Sequence, residues 1–321
     1  MLNNSPNDLS RAALHTLAYA DVFDYPLTAL EVHRYLTGVS APLDAVNRAL
    51  EEDRISVRIG DYYTLPGRAE IVSIRIQREA RSRKLMPRAI QYGRILGGLP
   101  YVRMVALTGS LAVLNLSQGA DMDYMLVTQP GRLWTARAFS VTFGRMIRPF
   151  GHTICVNLLV SEDALFWPQH DLYSAREICQ MIPITGLNVY RRMRSANLWT
   201  ESILPNSTLS APDLVQLPAY RKTNRIQSLL EMPLHGGGGA RLEQWAMKFQ
   251  LQRMEQRSGA GDETVFSADI CQANFHHHRR GTREMFQQRL KNLGTDFALP
   301  ASSSLALRSA RTGERSGVRA A

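Results

Sequence analysis

Two acidic residues and a Gly-Ser pair are the strongest chemical signal in the sequence. Asp121 and Asp123 stand one residue apart at the start of an apolar run, and side chains two apart on a strand project to the same side. Two neighbouring carboxylates repel each other, and Mg²⁺ relieves that repulsion by binding carboxylate, water and phosphate oxygens. Gly109 and Ser110 follow another apolar run, where a tight turn presents backbone N–H groups and a hydroxyl to phosphates. These residues therefore predict a metal–nucleotide site.

The patterns around these residues predict the elements that position them. Three apolar runs typical of strands alternate with helical patterns and cover residues 102–107, 121–128 and 152–160. The alternation favours an α/β (α+β) domain over 101–205, in which a mixed sheet is flanked by helices. The helix after the Gly-Ser turn is predicted to run through Leu116. A later helix is predicted to begin with Ser174 and Glu177 as a capping pair.

Residues 1–67 are predicted to form a separate small module. Three helical patterns are followed by a hairpin that turns at Gly60-Asp61, and this order resembles a winged helix-turn-helix. DNA binding is one role for such a module, and packing or protein contact is the other. The third helix, which would read the DNA groove, contains acidic residues such as Asp44 and Glu51. These charges oppose phosphate binding and favour the packing role.

The other flanking regions are predicted to be helical and basic. Residues 68–100, with eight basic residues against two acidic ones, form a long helix that Pro87 kinks or breaks. This helix is either a solvated connection or a surface for nucleic acid. A helical C-terminal region is expected at 206–299, and the small, polar and basic tail at 300–321 is expected to be disordered.

One segment of the chain resembles a known family. The stretch LTGSLAVLNLSQGADMDYMLV is similar to the signature of the DNA polymerase beta-like nucleotidyltransferase superfamily, which joins Gly-Ser to Asp-apolar-Asp across a spacer of this kind. The resemblance covers about residues 101–160, and the fuller arrangement is similar to uncharacterised bacterial nucleotidyltransferase-domain proteins. It implies that Gly109 and Ser110 bind nucleotide phosphates. It also implies that Asp121 and Asp123 bind Mg²⁺ and are the catalytic acids.

One position departs from the family pattern. The superfamily has a third carboxylate on the next strand, where the polar residue of this chain is Asn157. Asn157 is predicted to ligate the metal through its amide oxygen, or else to satisfy a hydrogen bond within the sheet. Three nearby acids could substitute for the missing carboxylate: Glu162, Asp163 and Asp171. An active transferase and a degenerate nucleotide-binding or regulatory relative therefore both stay open.

The predicted function is a Mg²⁺-dependent nucleotidyltransferase. It would move a nucleoside monophosphate from an NTP to an acceptor hydroxyl on a small molecule, a protein or an RNA, with release of pyrophosphate. Arg132 and Arg137, on the helix after the acid pair, are predicted to bind the triphosphate, because a guanidinium suits phosphate oxygens. The alternative for both is an ordinary surface charge. The rival function is a protein that binds nucleic acid or a partner through its winged module and basic helices.

The composition predicts a cytoplasmic protein without a membrane span. No apolar run approaches the roughly 18 residues that a spanning helix needs, and the N-terminus lacks the pattern of a secretory signal. The three cysteines are far apart and fit neither a disulfide framework nor a zinc site. The net charge of +10 favours contact with phosphates, nucleic acid or an acidic surface.

Overall fold

The computed structural model describes residues 6–52, 55–207, 225–234, 236–255, 263–273 and 278–297, so the predicted basic tail at 300–321 lies outside it. The α-helices are α1 (Pro6–Asp21), α2 (Ala29–Arg34), α3 (Leu43–Glu52), α4 (Ile71–Gly97), α5 (Gly109–Ala112), α6 (Leu133–Ile147), α7 (Leu172–Gln180), α8 (Leu187–Ala196), α9 (Thr200–Ile203), α10 (Arg225–Glu231), α11 (Gly237–Glu255) and α12 (His278–Asn292). The strands are β1 (Leu27–Thr28), β2 (Val57–Ile59), β3 (Tyr62–Thr64), β4 (Val102–Thr108), β5 (Met122–Thr128), β6 (Ile154–Ser161), β7 (Ile182–Thr185), β8 (Thr264–Phe266) and β9 (Ile270–Ala273). Short 3-10 helices follow α6 at Arg148–Phe150 and α10 at Met232–Leu234.

The N-terminal part contains three helices and a small antiparallel sheet with the strand order β1-β3-β2. Ile59 pairs with Tyr62 across the predicted two-residue turn, and Gly60 has the positive φ of +60° that such a turn needs. At the start of α2, the Thr28 hydroxyl accepts a hydrogen bond from the Glu31 N–H at 3.3 Å, and Glu31 accepts one from the Thr28 N–H at 2.9 Å. The three helices and the hairpin predicted here are confirmed.

A six-stranded mixed sheet with the order β7-β4-β5-β6-β9-β8 forms the centre of the molecule. β5 and β6 pair in parallel, and the other pairs are antiparallel. Side chains of β5 alternate between two cores: Tyr124 and Leu126 pack on the side of α4 and α6, while Met125 and Val127 pack on the side of α8. The predicted mixed sheet with flanking helices is present. Asp123, two residues before Met125, shares the α8 side.

Three strands of this sheet were missed by the sequence patterns. β7 contains Pro183, which resembles a turn residue, but the strand lies at the sheet edge, where a missing N–H is tolerated. β8 and β9 lie within 206–299, so the prediction of an entirely helical region is wrong there. The physical reason is that β9 pairs with a distant strand, with Gln272 opposite Leu158. No local pattern encodes such a pairing.

α4 continues through Pro87 without a break. A proline inside a helix costs about 3 kcal/mol, because it removes a backbone hydrogen bond and crowds the preceding turn. Met86 and Ala89 on either side are buried in the core beneath the sheet, and this packing offsets the cost. α4 is also less available to a partner than its charge suggests, since Arg75 is buried between Glu31 and Glu79 at 2.9 and 3.2 Å. The helix after the Gly-Ser turn was predicted to run through Leu116, but α5 ends at Ala112.

The N-terminal helices share a core with the C-terminal half of the chain. Leu172 of α7 and Phe286 of α12 belong to the same buried cluster as the apolar faces of α1, α2 and α3. Asp21 at the end of α1 is 2% exposed and pairs with Arg68 at 2.7 Å and with Arg289 at 2.6 Å. The core of residues 1–67 therefore includes α7 and α12, and α7 also approaches the acid pair.

Candidate active site

Strand pairing brings the Gly-Ser turn to the acid pair. Thr108, the last residue of β4, pairs with Asp123 of β5. Gly109 follows with a φ of +64°, and a Cβ atom at this position would lie 2.4 Å from Oδ2 of Asp123. A side chain here would force the carboxylate to move and would be strained at this positive φ, so glycine is strongly favoured. The two halves of the predicted motif therefore meet in the structure.

Asp121 and Asp123 form a partly buried pair of carboxylates. Asp121 immediately precedes β5, and both residues are partly exposed. Burial, and secondly the charge of Asp121, raise the pKa of Asp123 to about 7. Among the described residues, no cationic side chain is a cause of that shift. Such a pair fits Mg²⁺, which binds proteins through one or two carboxylates and completes its shell with water and phosphates.

Cys155 is the residue of β6 that lies beside the acid pair. The parallel register of β5 and β6 sets Cys155 opposite Asp123, and the two side chains are hydrogen-bonded. Burial, and secondly the charges of the two aspartates, raise the pKa of Cys155 to about 12, so the thiol keeps its proton and donates. Asn157 has no partner in this register, which steps from Val156 to Leu158. The neighbour of Asp123 on β6 is therefore a neutral thiol, and the predicted ligand Asn157 lies further along the strand.

The two predicted arginines lie at different distances from the acid pair. Arg132 precedes α6 at the far end of β5, where its guanidinium lies 5.4 Å from the centre of the Tyr101 ring. Most of the length of β5, roughly 17 Å, separates it from Asp123. Arg137, on the next turn of α6, donates a hydrogen bond to Gln250 of α11 at 2.6 Å. α6 begins at the opposite end of the sheet, so Arg132 lies far from the Gly-Ser turn, whereas Arg137 is close enough for its charge to act on Cys155 beside the acid pair.

Glu177 of α7 is a further carboxylate near the acid pair, although the sequence pattern predicted that it would cap the helix. Ser174 and Glu177 were predicted to cap α7, but Asp171 is the cap, and its Oδ1 accepts a hydrogen bond from the Ser174 N–H at 2.8 Å. The side chain of Glu177 accepts a hydrogen bond from Gln180 at 2.6 Å. Burial, and secondly the charge of Asp123, raise the pKa of Glu177 to about 7. Glu177 is therefore near enough to the acid pair for the charges to interact.

The acids that could have replaced a third carboxylate are engaged elsewhere. Glu162 forms an ion pair with Arg192, and Asp163 is exposed beyond the far end of β6. Asp171 caps α7. Within the described part of the chain, no group of three or more His, Cys, Asp or Glu side chains is arranged to hold a metal ion. Glu177 is thus the further carboxylate whose charge interacts with that of Asp123, and the only local signal for it in the sequence is an acid on a largely buried helix.

Comparison with known proteins does not identify a relative. In the part of the chain that the structure describes, no helix has the length and apolar character needed to cross a membrane. No protein-family model matches the chain, and no curated protein or solved structure matches it. The function must therefore be inferred from the geometry around Gly109 and Asp123.

Proposed function

We propose that the chain is a Mg²⁺-dependent nucleotidyltransferase similar to the polymerase beta-like superfamily. It would transfer a nucleoside monophosphate from an NTP to an acceptor hydroxyl and release pyrophosphate. The close contact between Gly109 and the carboxylate of Asp123 supports this proposal most directly. The turn that would bind phosphate lies against the acid pair that would bind the metal ion, and an NTP with its cation requires both together.

The residues of the site have distinct roles in this reaction. Backbone N–H groups at Gly109 and Ser110, with the Ser110 hydroxyl, would bind phosphate oxygens. Asp121 and Asp123 would hold Mg²⁺, which supplies positive charge that neutralises the phosphates. Glu177 would accept the proton of the acceptor hydroxyl, because its pKa of about 7 suits a base at neutral pH.

Pyrophosphate release tests the proposal. The purified protein would be incubated with Mg²⁺, each NTP in turn and a cell extract as the source of acceptors. Asp121→Asn and Asp123→Asn should each lower the rate about 100-fold or more, since each removes a metal ligand without changing its size. The control is Asp163→Asn, an exposed acid at the other end of the sheet, which should leave the rate unchanged. Equal rates in all four proteins, or no release with any NTP, would contradict the proposal.

A second function is favoured by the thiol beside Asp123. Cys155 supplies no charge where a third carboxylate is expected, and this agrees with a relative that binds nucleotide without turning it over. The N-terminal part would then contact a partner, and its order of helix, strand, helix, helix, strand and strand resembles a winged helix. On the exposed face of α3, Asp44 pairs with Arg48 at 3.2 Å and so reduces the charge available for DNA phosphates.

Binding measurements separate this second function from the first. Retention of NTP in equilibrium dialysis, combined with no pyrophosphate release, would support a degenerate nucleotide-binding protein. Binding to duplex DNA or RNA that weakens steeply with salt would support a nucleic-acid role. Nucleotide turnover that depends on Asp121 would exclude the degenerate nucleotide-binding protein.

A further inference from the structure

A cavity of about 610 Å³ lies between α1, α7 and α12. Its inner wall is aromatic and apolar, with Tyr19 of α1, Phe286 and Leu290 of α12, and Phe297 after α12. Tyr19 and Phe297 each make an edge-to-face contact with Phe286, with ring centres 5.6 Å apart. Small-molecule sites are typically about 300–1,000 Å³ and largely apolar. The cavity is therefore large enough for a small organic molecule with an apolar body.

The mouth of the cavity is charged and has an excess of cations. Asp171 and Arg279 lie 3.5 Å apart and form an ion pair. Arg283 and Lys291 are exposed on α12 and also line the cavity, against one further acid, Asp296. The lining residues carry one net positive charge, so a ligand with a negatively charged group would be attracted on the side of Arg283 and Lys291, away from the acids that act on Tyr173.

We propose that this cavity binds a small organic anion. An aromatic or branched apolar body would lie among the rings of Tyr19 and Phe286, where its removal from water is favourable. A carboxylate, sulfonate or phosphate group would pair with Arg283 and Lys291 at the mouth. This binding site goes beyond the proposed nucleotidyl transfer and does not depend on it. Tyr173 lines the same cavity, one helical turn before Glu177 on α7.

Fluorescence titration with anilinonaphthalene sulfonate tests the proposal, because this probe joins an aromatic body to an anionic group. Its uncharged parent, anilinonaphthalene, is the matched ligand without the sulfonate. We expect saturable binding of both at one site per chain. The sulfonate should bind about tenfold more tightly, which corresponds to one charge-assisted contact.

Two matched pairs of variants on α12 locate the bound probe. Gln287→Trp introduces a large side chain into the cavity, while Gln288→Trp introduces it at an exposed neighbour outside the cavity lining. The first should weaken both probes about tenfold or more, and the second should leave them unchanged. Arg283→Gln should remove most of the preference for the sulfonate. Arg280→Gln, at an exposed position outside the lining, should preserve that preference.

Each failure of these expectations overturns the proposal. Unchanged binding in Gln287→Trp would place the probe elsewhere, for example on the exposed stacked rings of Trp245 and Phe249. Equal affinities for the charged and uncharged probes would exclude an anion site. Near-UV circular dichroism checks that every variant is folded. Because Gln287 and Arg283 are both exposed, either pair of variants is sufficient if a member of the other fails to fold.

Discussion

Gly109→Ala is expected to weaken both the fold and the acid pair. The new Cβ would lie 2.4 Å from Oδ2 of Asp123, well inside the roughly 3.5 Å of an ordinary contact. Overpacking of this kind costs about 1–3 kcal/mol. The φ of +64° adds about 1–2 kcal/mol for any residue with a Cβ atom. The alanine also reduces the conformational entropy of the unfolded chain, which stabilises the fold by about 0.4–1 kcal/mol, so the expected net destabilisation is about 1–5 kcal/mol.

Gly131→Ala is the matched control for the backbone terms. Gly131 has a φ of +65°, and a Cβ atom there would have no neighbour within 4 Å. It lies in the turn after β5, at the end of the sheet away from Asp123. Urea unfolding should therefore show a loss of about 1 kcal/mol for Gly131→Ala, and the excess loss in Gly109→Ala measures the collision with the carboxylate.

The same pair of variants reports on the candidate site. A displacement of the Asp123 carboxylate by about 1 Å should lower Mg²⁺-dependent pyrophosphate release about 100-fold in Gly109→Ala. Gly131→Ala should release pyrophosphate at the rate of the unmodified protein. If the two variants lose equal stability and equal activity, Gly109 does not contact Asp123 in solution, and the geometric basis of the proposed site is wrong.

Three further predictions test other parts of the molecule. Glu177→Gln should lower kcat about 100-fold and make the rise of activity with pH near 7 less steep, because only the deprotonation of Asp123 then contributes to it; an unchanged kcat would exclude a role of Glu177 as base. Burial, and secondly the charge of Arg11, lower the pKa of His15 from 6.5 to about 4, so below pH 6.5 the unfolded chain binds a proton that the folded chain does not. His15 alone should lower stability by up to roughly 3 kcal/mol between pH 6.5 and pH 4, whereas the raised pKa values of Asp123 and Glu177 act in the opposite direction. Urea unfolding at the two pH values should therefore show His15→Gln gaining up to that amount relative to the unmodified protein as the pH is lowered, and an equal pH dependence in the two proteins would contradict this role of His15. Asp21→Asn should cost about 1.5–3 kcal/mol in urea unfolding, because it removes the charge of a buried carboxylate that accepts hydrogen bonds from Arg68 and Arg289. Asp8→Asn, which breaks an exposed pair, should cost less than about 1 kcal/mol, and similar losses in both would contradict that reasoning.

The local half of the candidate site could be predicted because its geometry follows from adjacent strands. Asp121 and Asp123 alternate with Met122 and Tyr124, whose side chains are buried on the opposite face. β4 and β5 follow one another along the chain and pair in antiparallel fashion, so the turn after β4 returns to the start of β5. Short-range alternation and one antiparallel pairing were therefore enough to bring Gly109 to Asp123.

The remaining groups depend on long-range packing that residue spacing does not encode. The sequence pattern of β6 predicts Asn157 as the polar residue beside the acid pair. In the structure, a step in the parallel register leaves Asn157 unpaired, and Cys155 lies beside Asp123. A helix that crosses back between parallel strands begins at the end of the sheet where the first strand finishes, so Arg132 follows the acid pair in sequence yet lies far from it. Glu177 interacts with Asp123 only because α7 packs in the same core as the N-terminal helices, far from β5 along the chain. A third catalytic group in such a fold must therefore be sought among helices that return to the starting ends of the strands, and not at a fixed distance along the chain.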